Sequence, residues 1–317
     1  MEHHSASPRP FRFSVAVDHL QTRQEWLDKA HKAEDLGYST FLVPDHTWIN
    51  FDPIVGLTAV AEHTSLHIGS HVFCNDFRNP ALLAQQVATL DLLSGGRFQL
   101  GLGCGYALDD YTHTGIPFDP IGTRLARLEE AVHLIKHFFS DDVLNFSGQY
   151  YQAQGMPAKP KPVQQPLPIY MGGAGKRVLS LAAREANIIG LVAKPSGTAA
   201  FDFDLRSTLP AANLQKLQWI RSAAGERFSQ VELSTTIYIS IVTSSNAQRE
   251  AVAQQVATRS GLTPEEVLNS MNMLIGFPDQ IIETLEERRE LFGISCIEIL
   301  EGGMEAFAPV VAKLTGK

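Results

Sequence analysis

Short runs of apolar residues alternate with longer segments of helical periodicity along this chain. The run FRFSVAV at 11–17 has the composition of a buried strand, and apolar residues at helical spacing follow it over 22–36, up to Gly37. This pattern predicts a strand and then an amphipathic helix that ends at the glycine. The alternation continues and predicts eight strands, at 11–17, 40–43, 66–73, 98–102, 169–171, 188–192, 231–242 and 296–300.

The segments between these strands carry signals for the ends of helices. Asn79 can cap a helix over 80–93, with Pro80 in the first turn, where its missing N–H costs nothing. The sequence TPEE at 263–266 has the form of a capping box with proline at the first helical position. Further helices are predicted over 53–62, 123–139, 176–186, 209–224 and 279–292, with one more at the C-terminal end.

Strands that alternate with helices indicate a parallel sheet with crossover helices. Eight such units predict an α/β fold closed into a (β/α)8 TIM barrel, and a doubly wound open sheet is the alternative. Residues 141–168 interrupt the alternation with a predicted hairpin around Ser147-Gly148 and a proline-rich passage. We interpret them as an insertion, and expect a disordered N-terminus over 1–10 and a single barrel domain over 11–317.

Composition narrows the classes of function. The chain has 34 acidic and 26 basic side chains, a formal net charge of −8, which argues against nucleic-acid binding, because that needs a basic face. No apolar run approaches the ~20 residues of a membrane span, and the polar start MEHHSASPRP does not resemble a signal peptide. The three cysteines show no metal or disulfide spacing. We therefore expect a cytoplasmic protein without a metal site.

In a barrel of this kind, functional groups lie on the loops that follow the strands. Asp45 and His46 follow the second predicted strand. A carboxylate beside an imidazole can fix its tautomer and tune its basicity, so the two are candidate catalytic residues, although a loop hydrogen bond is the alternative. Cys74 and Asn75 follow the third strand, where they would line the barrel mouth or pack at the strand end.

Two glycine-rich loops complete the candidate site. The sequence GLGCGY at 101–106 alternates glycines, which let a flat ligand approach the backbone, and it includes Cys104, Gly105 and Tyr106. It lacks the remainder of a dinucleotide fingerprint. The second loop joins a strand to a helix start, which is a physical basis for binding an anion, or is a tight turn with a solvated basic pair. Its residues are Gly172, Gly173, Ala174, Gly175, Lys176 and Arg177.

Several passages resemble the bacterial-luciferase-like flavin oxidoreductase superfamily. They are FRNPALLAQQVATLDLLSGGRFQLGLGCGY at 77–106, LPIYMGGAGKRVLSLAAREANIIGL at 167–191, LVPDH at the second strand and FPDQIIETLEERRELFGIS near the end. The resemblance spans about residues 11–300 and is nearest to the branch that depends on the deazaflavin coenzyme F420. It implies a (β/α)8 barrel with an insertion, in agreement with the pattern of strands and helices.

The resemblance also assigns roles. It implies that the cofactor ring lies across the barrel mouth, that His71-Val72 is a non-proline cis peptide behind the ring, and that residues 172–177 hold the phosphate. Asp45 and His46 match a pair that acts in proton transfer in deazaflavin sugar-phosphate dehydrogenases. Tyr106 stands where those dehydrogenases carry a glutamate, which argues against sugar-phosphate oxidation.

The function that follows from the resemblance is hydride transfer between C5 of the deazaflavin and a small organic substrate, with His46 or Tyr106 handling the proton. One alternative is an FMN-dependent monooxygenase supplied with reduced flavin by a partner reductase, and another is a non-catalytic cofactor-binding barrel. The acidic tail of F420 would meet Lys159, Lys161 and Lys194. We expect a homodimer formed through the apolar faces of 53–62 and 80–93.

Overall fold

A ring of eight parallel strands forms the centre of this computed structural model, which describes residues 9–200 and 202–317. Each strand pairs with its neighbour in chain order, and the ring closes where the last strand pairs with the first. The predicted barrel is confirmed and the open sheet is wrong. The strands are β1 (Arg12–Ala16), β2 (Thr40–Val43), β3 (His67–Ser70), β4 (Phe98–Gly103), β5 (Ile169–Gly173), β6 (Ile188–Leu191), β7 (Glu232–Ile237) and β8 (Ile294–Leu300).

Helices surround the ring. The two helices whose N-terminal caps were predicted begin directly after the capping residues. Asn79 accepts hydrogen bonds from the first free N–H groups of its helix, and Thr263 and Glu266 form the predicted capping box. In the described part of the chain, no helix is long and apolar enough to cross a membrane. The helices are α1 (Arg23–Asp35), α2 (Pro53–His63), α3 (Pro80–Leu93), α4 (Leu108–Thr114), α5 (Ile121–Ser140), α6 (Lys176–Glu185), α7 (Pro210–Ala224), α8 (Asn246–Ser260), α9 (Pro264–Asn269), α10 (Pro278–Phe292) and α11 (Met304–Leu314).

The hydrophobic core fills the space between the strands and the inner faces of these helices. It runs through the described chain from Phe11 to Leu314, and a smaller cluster that includes Ala253 and Val267 lies under α8 and α9. Residues 1–8, which make up most of the expected disordered N-terminus, lie outside the described residues.

The predicted insertion begins with an antiparallel hairpin. Val143–Ser147 pairs with Gln152–Pro157, and an extended passage then leads into β5. The buried carboxylate of Asp91 on α3 anchors this passage by accepting hydrogen bonds from the backbone N–H groups of Val163 and Gln164, at 2.7 and 3.0 Å. The insertion therefore packs against the barrel beside α3.

Two predicted strands are interrupted in the structure. The strand expected over 231–242 leaves the barrel after Ile237, and Ile239–Val242 pairs in parallel with Met273–Gly276, a strand that the sequence pattern did not predict. The buried side-chain amide of Asn272 stabilises the chain where it leaves the barrel, because its Nδ2 donates to carbonyl oxygens of β6 and β7. The strand expected over 66–73 is divided by the peptide bond between His71 and Val72, which is cis, as the resemblance implied.

Candidate active site

The carboxyl ends of the barrel strands surround a cavity of about 1100 Å³, which we call the mouth cavity. This volume slightly exceeds the range that small-molecule and cofactor sites usually occupy, roughly 300–1,000 Å³. Most of the residues suggested by the sequence lie in its wall. They are Asp45, His46, His71, Val72, Cys74, Cys104, Gly105, Tyr106, Gly172, Gly173, Ala174, Gly175 and Arg177.

Two of the suggested residues lie elsewhere. Asn75 is buried behind the wall, where its Nδ2 donates to the hydroxyl oxygen of Tyr151 at 2.9 Å. Lys176 is exposed at the start of α6 and is not part of the cavity wall. Among the described residues, no group of three or more His, Cys, Asp or Glu side chains is placed to hold a metal ion.

His46 follows β2 and is held by Asp110 on α4. Its Nδ1 lies 2.8 Å from Asp110 Oδ2, while Asp110 Oδ1 accepts hydrogen bonds from the backbone N–H and hydroxyl of Thr47. Burial by itself would raise the pKa of Asp110, but the hydrogen bonds from His46 and Thr47 lower it below its usual value. Because Nδ1 is engaged and the described residues offer Nε2 no hydrogen-bond partner, Nε2 is the nitrogen available to a ligand.

Two aromatic side chains fix the plane of the imidazole. The ring of Trp48 stacks on His46 with 3.8 Å between centroids and 13° between planes, and Tyr106 meets it edge-on at 5.8 Å and 89°. A histidine held by a carboxylate and two aromatic rings has a defined direction in which to exchange a proton with a ligand.

Asp45 does not hold His46, contrary to the expectation from sequence. Its carboxylate forms a bidentate pair with the guanidinium of Arg78 and accepts a hydrogen bond from the backbone N–H of Cys74 at 2.9 Å. Asp45 therefore ties the loop after β2 to the segment that follows the cis peptide. The carboxylate that reaches His46 comes from 64 residues further along the chain, on α4, a helix that the periodicity did not predict.

A second histidine–carboxylate pair lies deeper in the barrel, and its acidic partner was missed. His71 Nε2 lies 2.8 Å from Oε2 of Glu298, a buried residue of β8. Glu298 also accepts short hydrogen bonds from Ser234 and Thr236 on β7, both at 2.6 Å, and a longer one from Tyr170 at 3.3 Å. One signal was present in the sequence, since a single carboxylate between Ile297 and Ile299 on an apolar strand requires buried partners.

The pKa values of this pair shift toward the charged forms. Burial favours protonated Glu298, but the adjacent His71 imidazole and the hydroxyl donors on β7 outweigh it and lower the pKa of Glu298 to about 2. Burial likewise disfavours a charged His71, yet the carboxylate raises the pKa of His71 above its usual value. The base of the mouth cavity thus holds an ion pair with one imidazole edge in the wall.

The glycine turn, which we define as residues 172–175 from the end of β5 to the start of α6, has open space where a ligand could approach. Gly175 is the N-cap of α6 and provides no side chain to its free N–H groups, and a Cβ added there would meet no atom within 4 Å. A Cβ at Gly173, by contrast, would lie 2.5 Å from Val178. Arg177 adds a positive charge to the same part of the wall. Free N–H groups, an open cradle and a guanidinium suit a phosphate.

The three lysines suggested as partners for the acidic tail lie in different places in the structure. Lys194 lies in the cavity wall after β6. Lys161 donates from Nζ to the carbonyl oxygen of Phe138 at 2.7 Å, so it ties the insertion to α5, and Lys159 is exposed on the insertion. Of the three, only Lys194 is placed to meet a ligand in the mouth cavity.

Comparison with known proteins gives consistent matches. Residues 7–295 match the family model for luciferase-like monooxygenases. An F420-dependent glucose-6-phosphate dehydrogenase of Amycolatopsis mediterranei is 35% identical over 170 residues, 51% of each chain, and one from Segniliparus rotundus is 27% identical over 305 residues, 88% of each. The chain spans about half the length of the first curated relatives it matches.

A solved structure extends the comparison to the whole fold. Coenzyme F420-dependent tetrahydromethanopterin reductase from Methanopyrus kandleri superimposes with a TM-score of 0.75, covering 98% of this chain and 99% of the other, at 19% sequence identity. At this identity the similarity supports the barrel fold.

Proposed function

Because this chain belongs to the luciferase-like monooxygenase family, as its motifs indicated, we propose that it is an oxidoreductase that binds coenzyme F420 and acts on a small organic molecule. The observation that carries the proposal is His46, held by Asp110 in the wall of a large cavity that also contains the glycine turn. A positioned proton donor or acceptor beside an anion-binding turn is what a phosphate-bearing redox cofactor requires of its protein.

Different residues of the mouth cavity would bind different parts of the cofactor. The glycine turn and Arg177 would hold the phosphate of the cofactor, and Lys194 would meet its acidic tail. The deazaflavin, when bound, supplies the hydride chemistry. The cavity wall excludes water from the ring and orients it against the substrate, which is the contribution that a protein makes to a cofactor enzyme.

His46 would accept or donate the proton that accompanies hydride transfer. Oxidation of an alcohol releases the hydroxyl proton, and reduction of a carbonyl consumes one. Nε2 of His46 accepts or donates this proton, and the Asp110 carboxylate at Nδ1 stabilises the imidazolium form. Tyr106, edge-on to the imidazole, lies beside the same position.

Replacement of Gly175 by aspartate should test the phosphate site. The site is open, so the side chain fits, but its carboxylate would repel a phosphate at the start of α6. We expect the affinity for F420 to fall by roughly tenfold to a hundredfold, the scale of one charge in a partly buried site. Equilibrium titration followed by absorbance and fluorescence measures it.

Gly175→Ala is the matched control, because it adds the Cβ without the charge and should lose much less affinity than Gly175→Asp. Wild-type affinity in a folded Gly175→Asp protein would remove the glycine turn from the proposal. The same titration with FMN separates the two cofactors: tighter binding of FMN than of F420 would favour a flavin-dependent monooxygenase.

We also propose that the protein is a homodimer. Large apolar side chains are exposed on α2 and α3, including Val55 at 69% and Leu82 at 56% exposure. Light scattering should give about twice the chain mass of 34.8 kDa at micromolar concentration. Leu82→Glu should weaken association by roughly tenfold to a hundredfold, since it removes a leucine that the dimer would bury. Leu291→Glu, at another exposed site on α10, should not. A monomeric wild-type protein would contradict the proposal.

A further inference from the structure

Aromatic rings from four separate loops meet along one side of the mouth cavity. We define the aromatic wall as Trp48, Tyr106, Phe203 and Tyr238, which all line the cavity. Tyr106 and Phe203 lie 6.0 Å apart between ring centroids, and Phe203 stacks on Tyr238 at 5.2 Å with 14° between planes. Trp48 continues the row through its stack on His46. A row of aromatic rings, tilted relative to one another, therefore adjoins the imidazole that handles the proton.

The polar groups near this wall are engaged within the protein. The hydroxyl oxygen of Tyr238 accepts a hydrogen bond from the backbone N–H of Ala193 at 3.3 Å. Arg124, which also lines the cavity, donates to the carbonyl oxygens of Asp119, Cys104 and Gly105. Its guanidinium is therefore used to hold the loop after β4.

The position of the remaining cations limits what the substrate can be. Apart from Arg124, the lysine and arginine side chains in the described cavity wall are Arg177 and Lys194, and Arg177 follows the glycine turn, where the cofactor phosphate is proposed to bind. A phosphorylated sugar needs cations of its own and many hydrogen-bond partners for its hydroxyl groups. The aromatic wall offers aromatic side chains instead, which favour flat, weakly polar molecules.

We infer that the substrate is a planar, uncharged, conjugated carbonyl compound or the corresponding alcohol, an inference that rests on the proposed function. The flat part would lie against the aromatic wall, and its oxygen would face Nε2 of His46. In the reducing direction a new C–H bond forms at the carbonyl carbon from the hydride, and the π pair of the C=O bond moves to oxygen. The oxygen takes the proton from His46, and the deazaflavin is oxidised by two electrons.

Binding of three compounds tests this inference. Acetophenone is a planar aryl ketone, cyclohexyl methyl ketone has the same carbon skeleton without the flat ring, and glucose 6-phosphate carries the charge. Isothermal titration of the protein, with and without F420, should show acetophenone binding at least threefold more tightly than the cyclohexyl ketone. Glucose 6-phosphate should bind most weakly of the three.

A variant of the aromatic wall supplies the second measurement. Phe203→Leu removes one ring while keeping an apolar side chain, and should weaken acetophenone binding by roughly threefold to tenfold. Affinity for F420 should change less than affinity for acetophenone, because Phe203 lies on a different loop from the glycine turn. Phe146→Leu, on the insertion hairpin and outside the cavity wall, is the matched control and should bind acetophenone like the wild type.

The outcomes separate this inference from the function on which it rests. Normal F420 binding with tighter binding of glucose 6-phosphate than of acetophenone would overturn the inference alone. Acetophenone affinity unaffected by Phe203→Leu would do the same. Failure of F420 to bind would overturn the proposed function, and a Phe203-dependent preference for acetophenone in that protein would still support the aromatic wall as the substrate surface.

Discussion

Replacement of His46 by alanine should lower turnover by roughly 10²–10⁴-fold, the usual loss when a positioned proton donor or acceptor is removed. Affinity for F420 should change little, since the glycine turn is on a different strand, β5. Steady-state kinetics with a substrate whose hydride step is rate-limiting, together with cofactor titration, separates the two effects. His46→Gln keeps the bulk of the side chain but cannot be protonated, and should lose as much turnover as His46→Ala.

Two aspartate variants test how His46 is held. Asp110→Asn replaces the carboxylate that holds Nδ1 of His46, so the imidazole loses its fixed direction and turnover should fall by roughly 10²-fold, the scale for a misplaced catalytic group. Asp45→Asn should reduce thermal stability, because it breaks the pair with Arg78, and should lower turnover much less. Both variants replace an aspartate with asparagine, so each acts as the control for the other.

Particular outcomes would contradict this assignment. Wild-type turnover in His46→Ala across the pH range would make His46 a structural residue and Tyr106 the leading proton donor. A large loss of turnover in Asp45→Asn, with none in Asp110→Asn, would restore the pairing that the sequence suggested.

Much of the barrel was predictable because its elements carry local signals. Runs of apolar residues mark strands that are buried on both faces, and side-chain caps such as Asn79 mark where helices begin. The candidate site was predictable to the extent that its residues stand on loops directly after the strands. His46 and Gly175 are of this kind, since the fold alone brings the carboxyl ends of parallel strands to one side.

The partners of the two histidines were not predictable in the same way. Asp110 lies on the short helix α4, whose seven residues show too little periodicity to be recognised. Glu298 meets Thr236 because of the register between β7 and β8, and meets His71 across the interior of the barrel. Register and closure are properties of the assembled sheet, and a local pattern does not contain them.

Replacement of Glu298 by alanine should lower the free energy of unfolding by roughly 3–5 kcal/mol, the cost of removing one partner of a buried ion pair. The hydroxyl groups of Ser234 and Thr236 lose their acceptor, and His71 loses its counter-ion, all inside the barrel. Ser234→Ala removes a single hydrogen bond to the carboxylate and keeps the ion pair, so it should cost less, about 1.5–3 kcal/mol. Denaturant unfolding at about pH 5.5, near the middle of the range in which the ion pair contributes, measures the free energy of unfolding of both variants.

The pH dependence of the stability identifies the charge state of this pair. The pKa of Glu298 is lowered from 4.5 to about 2, so its contribution is present above about pH 4.5 and is lost as the pH falls toward 2. The pKa of His71 is raised above 6.5, so its contribution is complete below that pH and is lost as the pH rises through the folded-state value. The pair should therefore stabilise the protein most between about pH 4.5 and 6.5.

Glu298→Gln isolates this effect, because glutamine keeps the volume and an acceptor oxygen but carries no charge. The difference in unfolding free energy between the wild type and Glu298→Gln should be greatest between about pH 4.5 and 6.5 and should shrink on both sides. For Ser234→Ala the corresponding difference should vary much less with pH. If the stability of the wild type relative to Glu298→Gln instead falls steadily as the pH rises above about 4.5, Glu298 keeps its proton in the folded protein. His71 would then lie in the wall of the mouth cavity as a neutral imidazole rather than as one member of an ion pair.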